Sequence, residues 1–227
     1  MKRLLNAALL AMVLLAGFSC KKEALAVAEE PRIETGDLLF VGIPMDYWSD
    51  DSMAEAIANA TAAEGDTVNF IHTAILEVDP EGQVWVIDAT LAHGVDRHPL
   101  DTLLKDFSLS AGNDKRTLCV MRLKDPSDAV RSVELAKAML GEEYDVYFKA
   151  DNGRHYCTEL VYDAYLASDG THLFETVPMN FKNKAGEMPP YWTKLFAMLG
   201  EEVPQGAPGT NPQMMISSPN LVYVMNL

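Results

Sequence analysis

Tyr156-Cys157-Thr158-Glu159-Leu160-Val161-Tyr162-Asp163-Ala164-Tyr165 is the stretch on which the fold turns. Cys157, Leu160, Val161, Ala164 and Tyr165 recur at helical spacing, so a helix is predicted over Cys157 to Ala167 with one apolar face and a cysteine in its first turn. A sulfur there lies near unpaired backbone N–H groups and the positive end of the helix dipole, which favour a thiolate. The N–H of Cys157 can also face a developing oxyanion. Taken alone, the helix fits a plainer reading better, in which Cys157 is simply the first residue of the buried face.

Upstream, His72 falls in a predicted strand from Phe70 to Val78, and Asp88 lies near the end of a second from Gln83 to Ala89. Between them, Asp79-Pro80-Glu81-Gly82 has the residue types of a hairpin turn. A hairpin paired in this way sets Asp88 beside His72, where it can hold one ring nitrogen and leave the other to face a thiol. His72, with a pKa ordinarily near 6.5, suits proton transfer around neutral pH. Each residue also has an ordinary reading: a structural histidine inside a strand, and a strand-end aspartate facing water.

Further out, Gly36-Asp37 turns the chain into a strand from Asp37 to Val41, and Met53, Ile57 and Ala60 mark a helix from Ser52 to Ala63 capped by Asp50 or Asp51. Leu118 to Leu123, which contains Cys119, reads as a buried strand, and Asp128 to Leu140 as a helix begun by Pro126-Ser127. Leu91 to Asp101 reads as a loop, and its His93, Asp96 and His98 have metal-ligand residue types. Their spacing matches no strong zinc pattern and Arg97 opposes a cation, so the expectation is a loop bordering the substrate and no metal. No phosphate-binding glycine loop or dinucleotide fingerprint is present, and no cofactor is expected. From Pro189 to Pro212, Tyr191, Trp192, Leu195, Phe196 and Leu199 form an apolar stripe between prolines and glycines, predicting a short helix that wraps the domain near its cleft.

With 227 residues, 48% hydrophobic and 22% charged, the chain has the composition of one globular domain, placed at residues 35–227. Its 18 basic against 33 acidic residues give a net charge of −15, which repels a phosphate backbone and excludes nucleic acid as a partner. Lys2 and Arg3, the apolar run Leu4 to Leu15 and the small residues Ala16, Gly17 and Ser19 read as a secretory signal over residues 1–19. Cys20 stands where a bacterial lipoprotein carries its lipid, with residues 20–34 as a tether, so the expectation is an exported envelope protein touching the membrane through an N-terminal lipid anchor. Cys119 and Cys157 alone remain in the body, too few for a disulfide framework.

In order, Gly36-Asp37-Leu38-Leu39-Phe40, His72-Thr73-Ala74-Ile75, Ile87-Asp88-Ala89 and Tyr156-Cys157-Thr158-Glu159-Leu160 resemble the successive motifs of the circularly permuted NlpC/P60 group, and in particular its YiiX/YaeF-like branch. Ordinary members carry the cysteine helix first, whereas here the Gly-Asp strand and the histidine precede it. The resemblance, which runs from Gly36 to Leu166, implies an α+β papain-like fold in which a small antiparallel sheet or partial barrel packs against the Cys-bearing helix. It further implies Cys157 as nucleophile, His72 as base, Asp88 in a third place where relatives more often have Glu, and Tyr156 as a further residue of the substrate site. The implied chemistry is hydrolysis or transfer at an amide or ester through an acyl-enzyme, on a cell-wall peptide or on a lipid or acyl-amide substrate. A non-catalytic peptide- or lipid-binding module on the same fold is the rival, and the two part on whether Cys157, His72 and Asp88 converge on a cleft.

Overall fold

Leu38, Leu39, Phe40 and Val41 are all but inaccessible, so β1 (Leu38–Pro44) is a strand covered on both faces. It pairs on one side with β2 (Val68–Val78), which leads through β3 (Val84–Thr90) to β4 (Gly94–Pro99), and on the other with β5 (Thr117–Leu123). Two-residue pairs outside this sheet join β6 (Glu143–Tyr144) to β7 (Arg154–His155) and β8 (Val177–Pro178) to β9 (Pro208–Gly209). The last strand, β10 (Leu221–Asn226), returns to β5, giving six antiparallel strands in the order β10-β5-β1-β2-β3-β4. The computed structural model describes residues 30–45, 52–62, 65–107 and 116–227. The leader at 1–19, Cys20, the tether as far as residue 29 and the expected caps Asp50 and Asp51 lie outside them.

The helices are α1 (Met53–Thr61), α2 (Leu100–Asp106), α3 (Ala129–Ala138), α4 (Cys157–Ala164), α5 (Pro190–Leu199) and α6 (Pro212–Met215). Strand alternation sends Leu38, Phe40, Ile75 and Ile87 to one face, where they meet Val133 and Ala136 of α3 and Leu160, Val161 and Ala164 of α4. Leu39, Val41, Ala74, Leu76 and Val86 point the other way, onto Leu103 of α2. An α+β arrangement with the Cys-bearing helix against an antiparallel sheet is therefore what the chain adopts.

The Gly-Asp motif has a local physical reason. Gly36 sits at φ +89°, and a Cβ there would lie 2.5 Å from the Ala129 Cβ, so both the backbone and the space demand glycine. The buried Asp37 carboxylate accepts two hydrogen bonds from Arg122, at 2.7 and 2.9 Å, a bidentate pairing that anchors β5 to the start of β1. The buried Tyr165 hydroxyl, just beyond α4, donates to the Gly36 carbonyl at 2.9 Å. The motif thus joins the Cys-bearing helix to the sheet.

Three expectations change. Leu91 to Asp101 is not one loop: Gly94–Pro99 forms β4 and Leu100–Asp106 forms α2. An edge strand buries few side chains, so its polar sequence hides the alternation, and Val95 and His98, the buried side chains it has, lie on opposite faces of the sheet. Beyond the segment expected to wrap the domain, Leu221–Asn226, for which no element was expected, adds a strand to the other edge of the sheet. The α4 helix stops at Ala164, three residues before the predicted end, as Leu166 bridges to His172 instead. Smaller shifts are at the caps: Ser52 accepts from the Glu55 N–H to start α1, and Asp125 accepts from the Ser127 N–H ahead of α3. The stripe from Tyr191 to Leu199 forms α5 as expected, with Trp192 and Phe196 buried. Edge-to-face contacts link Phe148, Phe181, Trp192 and Phe196 at ring separations of 5.1–6.1 Å. Each such pair contributes about 0.5–1.5 kcal/mol beyond area burial.

Candidate active site

Cys157 is the first residue of α4, following Tyr156 in extended conformation. His72 comes from β2, two residues before Ala74, and Asp88 from β3, two residues after Val86, so both side chains leave the sheet on the Ala74 and Val86 face. The His72 Nε2 lies 2.6 Å from the Asp88 Oδ2, and the imidazole and the Cys157 side chain line the same concavity and interact electrostatically. With Nε2 given to the carboxylate, Nδ1 is the nitrogen left for sulfur. The Phe107 ring stacks on the imidazole at 4.5 Å and limits its rotation. The three residues expected from the sequence therefore stand together.

Burial is the largest influence on His72 and pulls its pKa down, but hydrogen bonds to Asp88 and Cys157 and their charges outweigh it, leaving a value of about 10. For Asp88, burial works against the carboxylate, yet the bonds from His72 and His98 hold it down at about 2. The arrangement thus favours an imidazolium held between an anionic carboxylate and the sulfur.

Two concavities meet at Ile57, Tyr144 and Cys157. One is walled by Phe148, Met179, Phe181, Trp192 and Pro212, and the other by Met53, Ile71, His72, Leu91 and Phe107. The cleft is lined mainly by apolar side chains, and α5 supplies part of its wall. Tyr156 lines the first concavity, with its hydroxyl accepting from the Thr210 N–H at 3.0 Å. Tyr144 and Phe107 were not singled out in the sequence, because nothing local distinguishes an aromatic residue that reaches the site from one that fills the core.

Glu159, two residues beyond the cysteine, accepts from the Tyr156 N–H at 3.4 Å and steadies the start of α4. Burial first, and then the nearby Asp145 charge, push its carboxyl from an ordinary 4.5 up to about 8. Since the folded protein keeps this proton where the unfolded chain has lost it, stability is expected to fall as pH rises from about 4.5 to about 8. Glu159→Gln should flatten that part of the slope, read from urea midpoints across the range. An unchanged slope would remove Glu159 as its source.

Asp88, Asp96 and His98 offer ligand atoms within 4.8 Å of one another, a grouping of metal-ligand residue types among the described residues. Both Asp88 oxygens already serve histidines, Oδ2 to His72 at 2.6 Å and Oδ1 to His98 at 3.1 Å. His98, whose Nε2 and Nδ1 face the Asp88 Oδ1 and the Pro99 carbonyl, has no lone pair left for a cation in this arrangement, so the donor set as placed does not fit a metal. His93, the remaining residue of the expected loop group, is not part of this cluster.

No curated protein sequence matches the chain significantly. Among solved structures that match, the one described as metalloprotein yiiX from Escherichia coli O157:H7 aligns with a TM-score of 0.63 and 24% identity, covering 88% of this chain and 99% of that chain. The two share a fold. Residues 32–225 match the family described as permuted papain-like amidase enzyme, YaeF/YiiX, C92 family. Because that match takes in the sheet, the Cys-bearing helix and the closing strand, the chain belongs to the permuted papain-like amidase family.

Proposed function

We propose that the protein is a cysteine amidohydrolase in which Cys157 is the nucleophile, His72 the proton carrier and Asp88 the group that orients His72. The observation carrying this reading is the 2.6 Å bond from His72 to Asp88 with Cys157 beside the same imidazole, at a helix start that opens on a cleft. In this reading the protonated His72 stands beside the Cys157 sulfur. The sulfur adds to the substrate carbonyl carbon, and the oxyanion faces the Cys157 N–H at the start of α4. As the C–N bond breaks, the His72 proton passes to the leaving amine. His72 then takes a proton from water, the hydroxide cleaves the thioester, and the acid leaves as the thiolate re-forms.

The aromatic and aliphatic walls support a substrate with an apolar acyl portion, an acyl amide or lipid in preference to a polar cell-wall peptide. Tyr156 would contact that portion from its place in the wall. Residues 1–19 as an export signal and Cys20 as a lipid attachment point would bring the enzyme to such substrates at the envelope. No helix among the described residues is long and apolar enough to cross a membrane, so the lipid would be the anchor in this scheme.

Labelling of the folded protein with iodoacetamide, with sites located by mass spectrometry, tests the nucleophile. Cys157 and Cys119 are similarly covered, at 5% and 7% exposure, so burial alone predicts similar rates. Cys157 borders both concavities and His72, whereas Cys119 lies in the core and burial raises its pKa. Cys157 is expected to react at least about tenfold faster. Equal rates would leave the non-catalytic binding module as the better account. Comparing release of amine from acylated amines, lipids and stem peptides then orders the substrate classes.

A further inference from the structure

His98 has no place in the line from Asp88 to Cys157, yet it is buried against it. Its strand β4 pairs with β3 so that Asp88 faces Asp96 and Val86 faces His98. The His98 Nε2 is 3.1 Å from the Asp88 Oδ1, and its Nδ1 is 3.1 Å from the Pro99 carbonyl oxygen. Both ring nitrogens thus face oxygens that can only accept, since Asp88 is anionic, and both must carry hydrogen to satisfy them. Asp96 supplies a second carboxylate, its Oδ1 3.7 Å from the same Nε2, and that buried oxygen has no hydrogen-bond partner of its own.

We propose that His98 is a positioning residue for the catalytic pair, its Nε2–H holding the Asp88 oxygen that His72 does not use. The proposal rests on the assignment of His72 and Asp88 above. Asp88 would otherwise be free to rotate about its side-chain bonds or to present both oxygens to His72. Fixed from the far side, it offers Oδ2 to His72 in a single direction. The positive His98 ring also offsets part of the Asp88 charge, so that His72 keeps its proton at rest but can release it to a leaving group. The charged groups around His98 are Asp88 from β3, Asp96 from its own strand and, through Asp88, His72 from β2. Asp106 from α2 and His93 act on Asp96. The bond to Asp88 is the largest influence on His98 and outweighs burial, raising its pKa to about 9.

Two measurements on the full-length protein test this. Nitrogen-15 NMR of the histidine rings near neutral pH should find both His98 nitrogens protonated; a neutral ring would overturn the proposal whatever the catalytic role of its neighbours. The pH profile of Cys157 alkylation is then compared in wild type, His98→Leu and His98→Gln. Leucine removes the donor, and the rate near neutral pH should drop about tenfold with a displaced profile. Glutamine can place an amide N–H near the position of Nε2 and should restore most of the rate and the wild-type profile. A leucine variant with the wild-type profile, or a glutamine variant as impaired as leucine, would reduce His98 to a packing residue. Zinc or a chelator changing the wild-type rate through these residues would make the cluster a metal site and also overturn the proposal. Should His98→Leu fail to fold, the ring protonation and the glutamine profile decide alone. A wild-type Cys157 no more reactive than Cys119 would count against the nucleophile assignment instead, leaving the NMR result to judge the His98–Asp88 bond.

Discussion

Cys157→Ala is expected to lower turnover by at least about ten-thousandfold while leaving the melting temperature nearly unchanged. In the proposed mechanism the sulfur forms the covalent bond on which both halves of the reaction depend. Its loss leaves the bond between His72 and Asp88 in place, so the fold keeps its buried ion pair. His72→Gln should be similarly inactive, because glutamine can still donate to Asp88 but cannot carry a proton to the leaving amine. His72→Ala is a poorer probe: it strips a partner from a carboxylate that is 1% exposed, and such a break costs about 3–5 kcal/mol in stability. The double variant should be no worse than either single one, since the two side chains act as a unit. The check is turnover per folded molecule, and substantial turnover in Cys157→Ala would reject the acyl-enzyme route.

Asp88→Asn is expected to cost about a hundredfold to ten-thousandfold in turnover with the fold retained. The two Asp88 oxygens accept from His72 and from His98, whereas asparagine has one acceptor and would turn an N–H₂ group towards one of the rings. The imidazole would lose either its direction or the charge that stabilises its protonated form. Asp88→Glu keeps both oxygens and should be milder, although its extra methylene must fit between two buried histidines. Kinetics of both variants across pH check this expectation. An inert Asp88→Asn would leave His72 oriented by Phe107 packing alone, because Asp96 lies on the His98 side of the carboxylate.

Much of the candidate site was legible because its parts are local. The run from Cys157 to Tyr165 has helical spacing whatever surrounds it, and a cysteine at a helix start has a defined relation to the first free N–H groups. His72 and Asp88 sit on strands joined by the Asp79-Pro80-Glu81-Gly82 turn, so short-range hairpin geometry was enough to bring them together. The Gly36-Asp37 pair marked a turn, but its purpose came from distant partners: Ala129 and Tyr165 crowd and bind Gly36, and Arg122 grips Asp37.

Sequence by itself determined the helix carrying Cys157 and the hairpin that bears His72 and Asp88, because each follows from side-chain period or turn chemistry. Only the tertiary structure decided that Gly94–Pro99 is a strand, that Leu221–Asn226 forms the other edge of the sheet, and that Phe107, Tyr144 and His98 surround His72, Asp88 and Cys157. Edge strands have one partner and one partly exposed face, so their hydrophobic pattern is weak until a neighbour supplies the hydrogen bonds. His98 shows the same limit: a histidine among polar residues acquires a role when sheet pairing sets it opposite a buried carboxylate. That juxtaposition is a property of strand order, which local sequence does not encode.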